Sequence, residues 1–185
     1  MIDRKTDAIL VVDLQNDFIT GSLAVPGAED ILPALRKWID RFDLIFLSRD
    51  MHPPDHSSFI EQEGPWPPHC IAGNSGSDLH VVLDGIKASV VDKGTEVDKD
   101  AYSAFEGTGP SLADRLKLFG IKRLFVCGLA TDYCVKATVL DALEQFDGEV
   151  YILLDAIAAV DVKDGDGQAA IDEMVAKGAK TAINN

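Results

Sequence analysis

With 185 residues, 46% of them hydrophobic and 26% charged, the chain has the size and composition of one globular domain that buries its own core. Its formal net charge of −14 sets it against nucleic acid and anionic membranes as partners and suits a neutral small-molecule substrate. The longest apolar runs, such as Ala8–Val12, fall far short of the roughly 20 residues a membrane-spanning helix needs. The opening Met-Ile-Asp-Arg-Lys-Thr-Asp lacks the apolar stretch of a secretory signal, so a cytoplasmic location is expected. The three cysteines, Cys70, Cys127 and Cys134, are too few and odd in number for a disulfide framework, and each needs its own explanation.

The apolar run Ala8–Val12 reads as a strand buried on both faces and ends at Asp13. Ile31–Ile39 carries helical spacing, with Asp30 placed to cap it and Pro33 in its first turn. Leu44–Leu47 is a second strand, running into Ser48-Arg49-Asp50, and Ser89–Val91 a third, running into Asp92-Lys93-Gly94. Between them, residues 50–84 form one long irregular insert with two Pro-Pro pairs and no strong period, the kind of loop that is ordered for function. Ser111–Phe119 is a helix capped by Ser111 and stopped by Gly120. Leu124–Cys127 is a strand, Cys134–Gln145 a helix, Val150–Leu154 a strand, Gln168–Ala176 a helix and Thr181–Ile183 a short last strand. Alternation of apolar strands with helices predicts a single 1–185 domain of α/β class. It would be a three-layer αβα sandwich around a mostly parallel, doubly wound sheet of about six strands.

Ligands of such sheets sit at the carboxyl ends of the strands, so residues just beyond the strands are the candidates. Asp13, Asp50, Lys93 and the loop Gly128–Cys134 all meet that condition. Cys134 lies where strand, tight turn and helix meet. There the helix dipole and free N–H groups favour a thiolate and can hold an oxyanion, although a buried inert cysteine fits the position equally well. Cys127 reads as core, and so does Cys70. Asp13 is a cap or a base whose pKa burial would raise. Asp50 and His52, at i and i+2 in extended chain, point the same way. A later loop histidine completes an Asp/His/His metal set with open positions for water; the spacing alone leaves surface histidines as the rival reading. His80 has no such arrangement.

These pieces together resemble the nicotinamidase/pyrazinamidase branch of the isochorismatase-like cysteine hydrolases, over about Ala8 to Ile183. The matching segments are Val12-Asp13-Leu14-Gln15-Asn16-Asp17-Phe18, Gly21–Val25, Ser48–Pro53, Trp66-Pro67-Pro68-His69-Cys70, Lys93-Gly94, Tyr102–Phe105 and Gly128-Leu129-Ala130-Thr131-Asp132-Tyr133-Cys134. The resemblance implies an Asp13–Lys93–Cys134 triad and metal ligands Asp50, His52 and His69, with His56 a fourth in some members. The divalent metal it implies is zinc first, with iron or manganese as alternatives. It also implies a cis Leu129–Ala130 peptide, an oxyanion hole from the amides of Ala130 and Cys134, and a ring pocket lined by Phe18, Trp66, Tyr102, Leu129 and Tyr133. Deamidation of nicotinamide in NAD salvage, by a homo-oligomer, is the expected function. Hydrolysis of isochorismate or an N-carbamoyl compound, or a binding module without catalysis, are the alternatives.

Overall fold

Side-chain alternation on the first strand sets the layering. In the computed structural model, which describes residues 1–184, β1 (Asp7–Val12) is buried at every position. Ile9 and Val11 point into one core, and Ala8, Leu10 and Val12 into a second on the opposite face. With β2 (Leu44–Asp50), β3 (Ser89–Lys93), β4 (Arg123–Leu129), β5 (Glu149–Ala158) and β6 (Lys180–Ala182), it forms a parallel sheet in the order β3-β2-β1-β4-β5-β6. The first core receives α2 (Ala28–Ile39) through Ile31, Leu35, Trp38 and Ile39. The second receives α3 (Leu112–Leu118), α4 (Lys136–Gln145) and α5 (Asp166–Ala176) through Leu112, Leu116, Val139 and Met174. A short α1 (Asn16–Ile19) follows β1. The order reverses between β1 and β4, and the crevice at that point lies outside the carboxyl ends of the strands.

Three local expectations need correcting. Helix α2 begins at Ala28, after Gly27 in the left-handed region (φ 74°), so Asp30 is a first-turn residue and not the cap. Pro33 consequently sits in the second turn, where it removes the bond to the Glu29 carbonyl; Glu29 is exposed, and water can serve that oxygen. The strands also run further than their apolar cores. β2 and β3 continue to Asp50 and Lys93, which are direct cross-strand partners, as are Arg49 and Asp92. The latter pair forms an ion pair at 2.6 Å, the cross-strand charge pairing that lets polar residues extend the ladder.

Past Asp50, the insert over residues 51–84 contains no α-helix or named strand. It is pinned by short 3₁₀ turns and by isolated bridges Gln15–Leu79, His52–Ile71 and Phe59–Trp66. Phe59, Cys70 and Leu83 anchor it in the interior.

Gly128 marks the bend of β4 toward the crevice. Its φ is +110°, and a Cβ there would lie 2.1 Å from the Val12 carbonyl oxygen, at a break in the β4–β5 register. A Gly128→Ala variant is therefore expected to lose about 3 kcal/mol or more, from backbone strain and overpacking combined. Urea unfolding measures it, and a midpoint equal to the parent's would refute the close approach.

Candidate active site

The four strand ends at the switch point deliver one polar cluster. Asp13 follows β1 with φ 48°, an unfavourable region for a non-glycine residue, and its Oδ1 accepts a 2.7 Å bond from the Ser48 hydroxyl. Lys93, fully buried, places Nζ 2.5 Å from Asp50 Oδ1, 3.0 Å from the Ala101 carbonyl, 3.5 Å from Cys134 Sγ and 2.9 Å from Asp13 Oδ2. An ammonium has three N–H donors. Here they serve Asp50, Ala101 and Cys134. Asp13 Oδ2 forms a buried ion pair with the same ammonium, off the line of a good hydrogen bond. A carboxylate oxygen of Asp13 lies within 4.8 Å of the Cys134 sulfur.

The charge states follow from this packing. Burial pushes the Cys134 thiol well above its usual range, with Lys93 pulling the other way. Desolvation therefore opposes the thiolate that the helix dipole and Lys93 favour. Burial also raises Asp13 against the pull of Lys93. At Asp50 burial is outweighed by Lys93 and His52, which hold the carboxyl well below the carboxylate range. Burial works against the charge on Lys93, and its acidic neighbours reverse it, so the ammonium persists. Two buried carboxylates around one cation are thereby pushed in opposite directions, Asp50 down and Asp13 up.

Cys134 is carried by a single π-helical turn, Thr131–Val135, that runs into α4. The peptide bond Leu129–Ala130 is cis. The Ala130 carbonyl accepts from the amides of Tyr133 (3.1 Å) and Val135 (3.0 Å), on either side of the Cys134 amide.

Asp50, His52 and His69, all buried, bring their ligand atoms within 4.8 Å of one another. His52 Nδ1 lies 2.8 Å from the Gly94 carbonyl and His69 Nδ1 2.8 Å from the Pro67 carbonyl. A carbonyl only accepts, so both Nδ1 atoms carry hydrogen and both Nε2 lone pairs are left for a cation, the arrangement typical of metal-binding histidines. The excess of buried carboxylate over Lys93 also calls for positive charge, and this donor set fits a divalent metal ion. His56 stands apart. Its ring stacks on His52 at 4.1 Å, while Nδ1 takes the Ser58 hydroxyl at 2.7 Å and Nε2 lies 3.3 Å from the Lys99 carbonyl. Both nitrogens are engaged.

Above the cluster opens a cleft of about 480 Å³, including its mouth, whose lining holds Phe18, Trp66, Tyr102, Ala130, Tyr133 and Cys134. The Trp66 indole N–H donates to the Tyr102 hydroxyl at 3.2 Å, and Tyr133 meets Trp66 edge-on at 5.0 Å. Leu129 does not line it; its side chain is 1% exposed and belongs to the core under α2. Sequence reasoning missed Leu23, Val25 and Val160 in the cleft wall. The Gly21–Val25 motif was a signal for the first two; Val160, beyond β5, carried none.

A model of the isochorismatase domain matches residues 7–183. The chain belongs to the isochorismatase family. Among its curated relatives is the nicotinamidase of Escherichia coli, 39% identical over 93% of this chain and 92% of that protein. Two solved structures resemble it closely. The pyrazinamidase of Pyrococcus horikoshii in complex with zinc has a TM-score of 0.89 at 42% identity, covering 96% of this chain and 99% of that one. A protein of L. infantum in complex with nicotinate has a TM-score of 0.90 at 36% identity, covering 99% and 95%. The doubly wound sheet is that of the isochorismatase family.

In this isochorismatase-family chain the Lys93 ammonium is the counter-charge to both carboxylates. Lys93→Met leaves Asp13 and Asp50 buried without it, and about 3–5 kcal/mol of stability should be lost. Denaturant titration of both proteins checks this; equal midpoints would show that the cation does not hold the cluster.

Proposed function

We propose that this chain is a nicotinamidase, a cysteine amidohydrolase that converts nicotinamide to nicotinate and ammonia. One observation carries the reading: the Cys134 thiol, the Asp13 carboxylate and the Lys93 ammonium converge beneath an aromatic cleft, beside a three-ligand metal cluster. The names of the relatives point the same way: one is a nicotinamidase, and another was solved with nicotinate.

The roles follow from atom positions. Trp66, Tyr102, Tyr133 and Phe18 sandwich an aromatic amide and exclude water from its faces. Asp50, His52 and His69 would hold a divalent ion, which we assign as zinc, the metal of the P. horikoshii relative, and which would supply a Lewis acid beside the cleft. Asp13 takes the Cys134 proton as the sulfur attacks the carbonyl carbon, so that charge moves to Asp13 only when it is needed. The amides of Ala130 and Cys134 receive the developing oxyanion; the Ala130 carbonyl, bonded to Tyr133 and Val135, leaves the Cys134 N–H unengaged by it. Protonated Asp13 returns its proton to the amide nitrogen as the carbon–nitrogen bond breaks, releasing ammonia and leaving a thioester on Cys134. Water, deprotonated by Asp13, then cleaves the thioester to the carboxylic acid and regenerates the thiol. Lys93 remains an ammonium throughout, orienting Asp50 and stabilising the transient thiolate.

The test is ammonia release from nicotinamide by the purified, metal-analysed protein. We expect turnover by the parent and at least a thousand-fold loss in Cys134→Ala, in the range of triad deletions. Near-parental activity in that variant would remove Cys134 as nucleophile. No turnover by a metal-loaded, reduced parent would shift the reading to carbamoyl or isochorismate substrates.

Removing the metal supplies a second check. Dialysis against a chelator should abolish turnover, and added zinc should restore it; activity that survives complete removal would detach the reaction from the metal cluster.

A further inference from the structure

The motif after β1 contains more polar residues than the triad and the ring pocket use. Asp13 is the base and Phe18 lines the cleft, which leaves Gln15 and Asp17 unaccounted for. Both side chains reach into the insert, and both end on backbone beside a metal-cluster residue.

Gln15 is fully buried, and its carboxamide pairs with the backbone of Asp50 on both sides. Its Oε1 accepts from the Asp50 N–H at 2.7 Å, and its Nε2 donates to the Asp50 carbonyl at 2.7 Å. The second Nε2 hydrogen goes to the Ser77 carbonyl at 2.9 Å. Every donor of this amide is used, and the Asp50 N–H fixes which way it faces. In effect Gln15 continues the sheet one step past β1 and grips the residue whose carboxylate faces both Lys93 and His52.

Asp17 does the same for the other arm. Its Oδ2 accepts from the Cys70 N–H at 2.7 Å, directly after His69, and its Oδ1 from the Ser22 N–H at 3.2 Å. Cys70 has φ +47°, a conformation that needs outside support in a non-glycine residue. Gly76 packs against the Asp17 carboxylate so closely that a Cβ there would lie 2.1 Å from Oδ2. The Ser22 hydroxyl donates to the Pro68 carbonyl at 2.8 Å and secures the residue before His69. Asp50 and His69 belong to two arms of the insert that meet in the His52–Ile71 bridge, where the His52 N–H donates to the Cys70 carbonyl at 3.0 Å. Gln15 and Asp17 add a second hold on each arm, from one short stretch of chain that also carries Asp13.

We propose that Gln15 and Asp17 are positioning residues that hold the two arms of the metal cluster in register with the triad. The proposal rests on the reading of Asp50, His52 and His69 as metal ligands. Neither side chain lines the cleft or belongs to the ligand cluster. Gln15 acts through the backbone of the ligand Asp50 and Asp17 through the amide after His69, and loss of such support typically costs 10–100-fold in metal affinity.

The experiment measures zinc retention by the holoprotein under a graded chelator challenge, with the absorption spectrum of the cobalt-substituted protein as a geometric readout. Five proteins are compared: parent, His52→Ala, Gln15→Met, Asp17→Asn and Asn16→Ala. Asn16 also ties this stretch to the insert, through the Ser75 carbonyl at 2.8 Å, but away from any ligand. Gln15→Met and Asp17→Asn should release zinc at 10–100-fold lower chelator concentration and alter the cobalt spectrum, while Asn16→Ala matches the parent in both. Parental retention in Gln15→Met or Asp17→Asn, with His52→Ala depleted, overturns the positioning role and leaves the ligand assignment standing. Full retention in His52→Ala overturns the ligand assignment itself. Equal loss in Asn16→Ala reduces the effect to general tethering of the insert and also overturns the proposal. If Gln15→Met does not accumulate as folded protein, Asp17→Asn, a partly exposed site, decides alone.

Discussion

A lysine ammonium buried without access to water organises this molecule. Taking such a charge out of solvent costs several kcal/mol even after relaxation, and the cost is offset only because β1, β2, β3 and the turn after β4 all end within reach of it. Asp13, Asp50, the Ala101 carbonyl and Cys134 surround Lys93 at 2.5–3.5 Å. The pairing of β2 with β3, which sets Asp50 opposite Lys93, is therefore electrostatic as well as a matter of sheet register. A shift of that register by one residue would turn Lys93 to the other face and leave both carboxylates unneutralised.

The same ammonium divides labour among the groups it touches. It satisfies Asp50 fully enough that this carboxylate stays anionic and is available to a cation. Asp13 is ion-paired to it through Oδ2, while burial raises its pKa. The Cys134 sulfur lies 3.5 Å from it, with burial pushing the thiol up against its pull. Metal cluster and nucleophile are thus two sides of one charge arrangement, with Asp50 as the shared wall.

Much of this was legible in the chain. β-branched runs on both faces of β1 specify a buried parallel sheet, and residues that follow such runs lie at the crevice; Asp13, Asp50, Lys93 and the loop before Cys134 were found that way. What was not legible depends on long-range packing. The extensions of β2 and β3 are polar and read as loop until their cross-strand charge pairs are known. Leu129 and Ala130 are neighbours in sequence, yet the Leu129 side chain enters the core under α2 while Ala130 faces the cleft. His56 matches the spacing of a ligand, but both its nitrogens are taken by Ser58 and the Lys99 carbonyl. At Cys134 desolvation opposes the dipole at the helix start, and of the two only the dipole is read from sequence.

That buried thiol bears on how the protein ages. Peroxide and other oxidants consume thiolates far faster than thiols, and oxidation that goes past the reversible sulfenic acid to sulfinic acid forfeits the sulfur for good. A cysteine that is only 8% exposed, with its pKa pushed up by burial, offers oxidants little to attack. Burial, which makes the sulfur a reluctant nucleophile at rest, is also what preserves it.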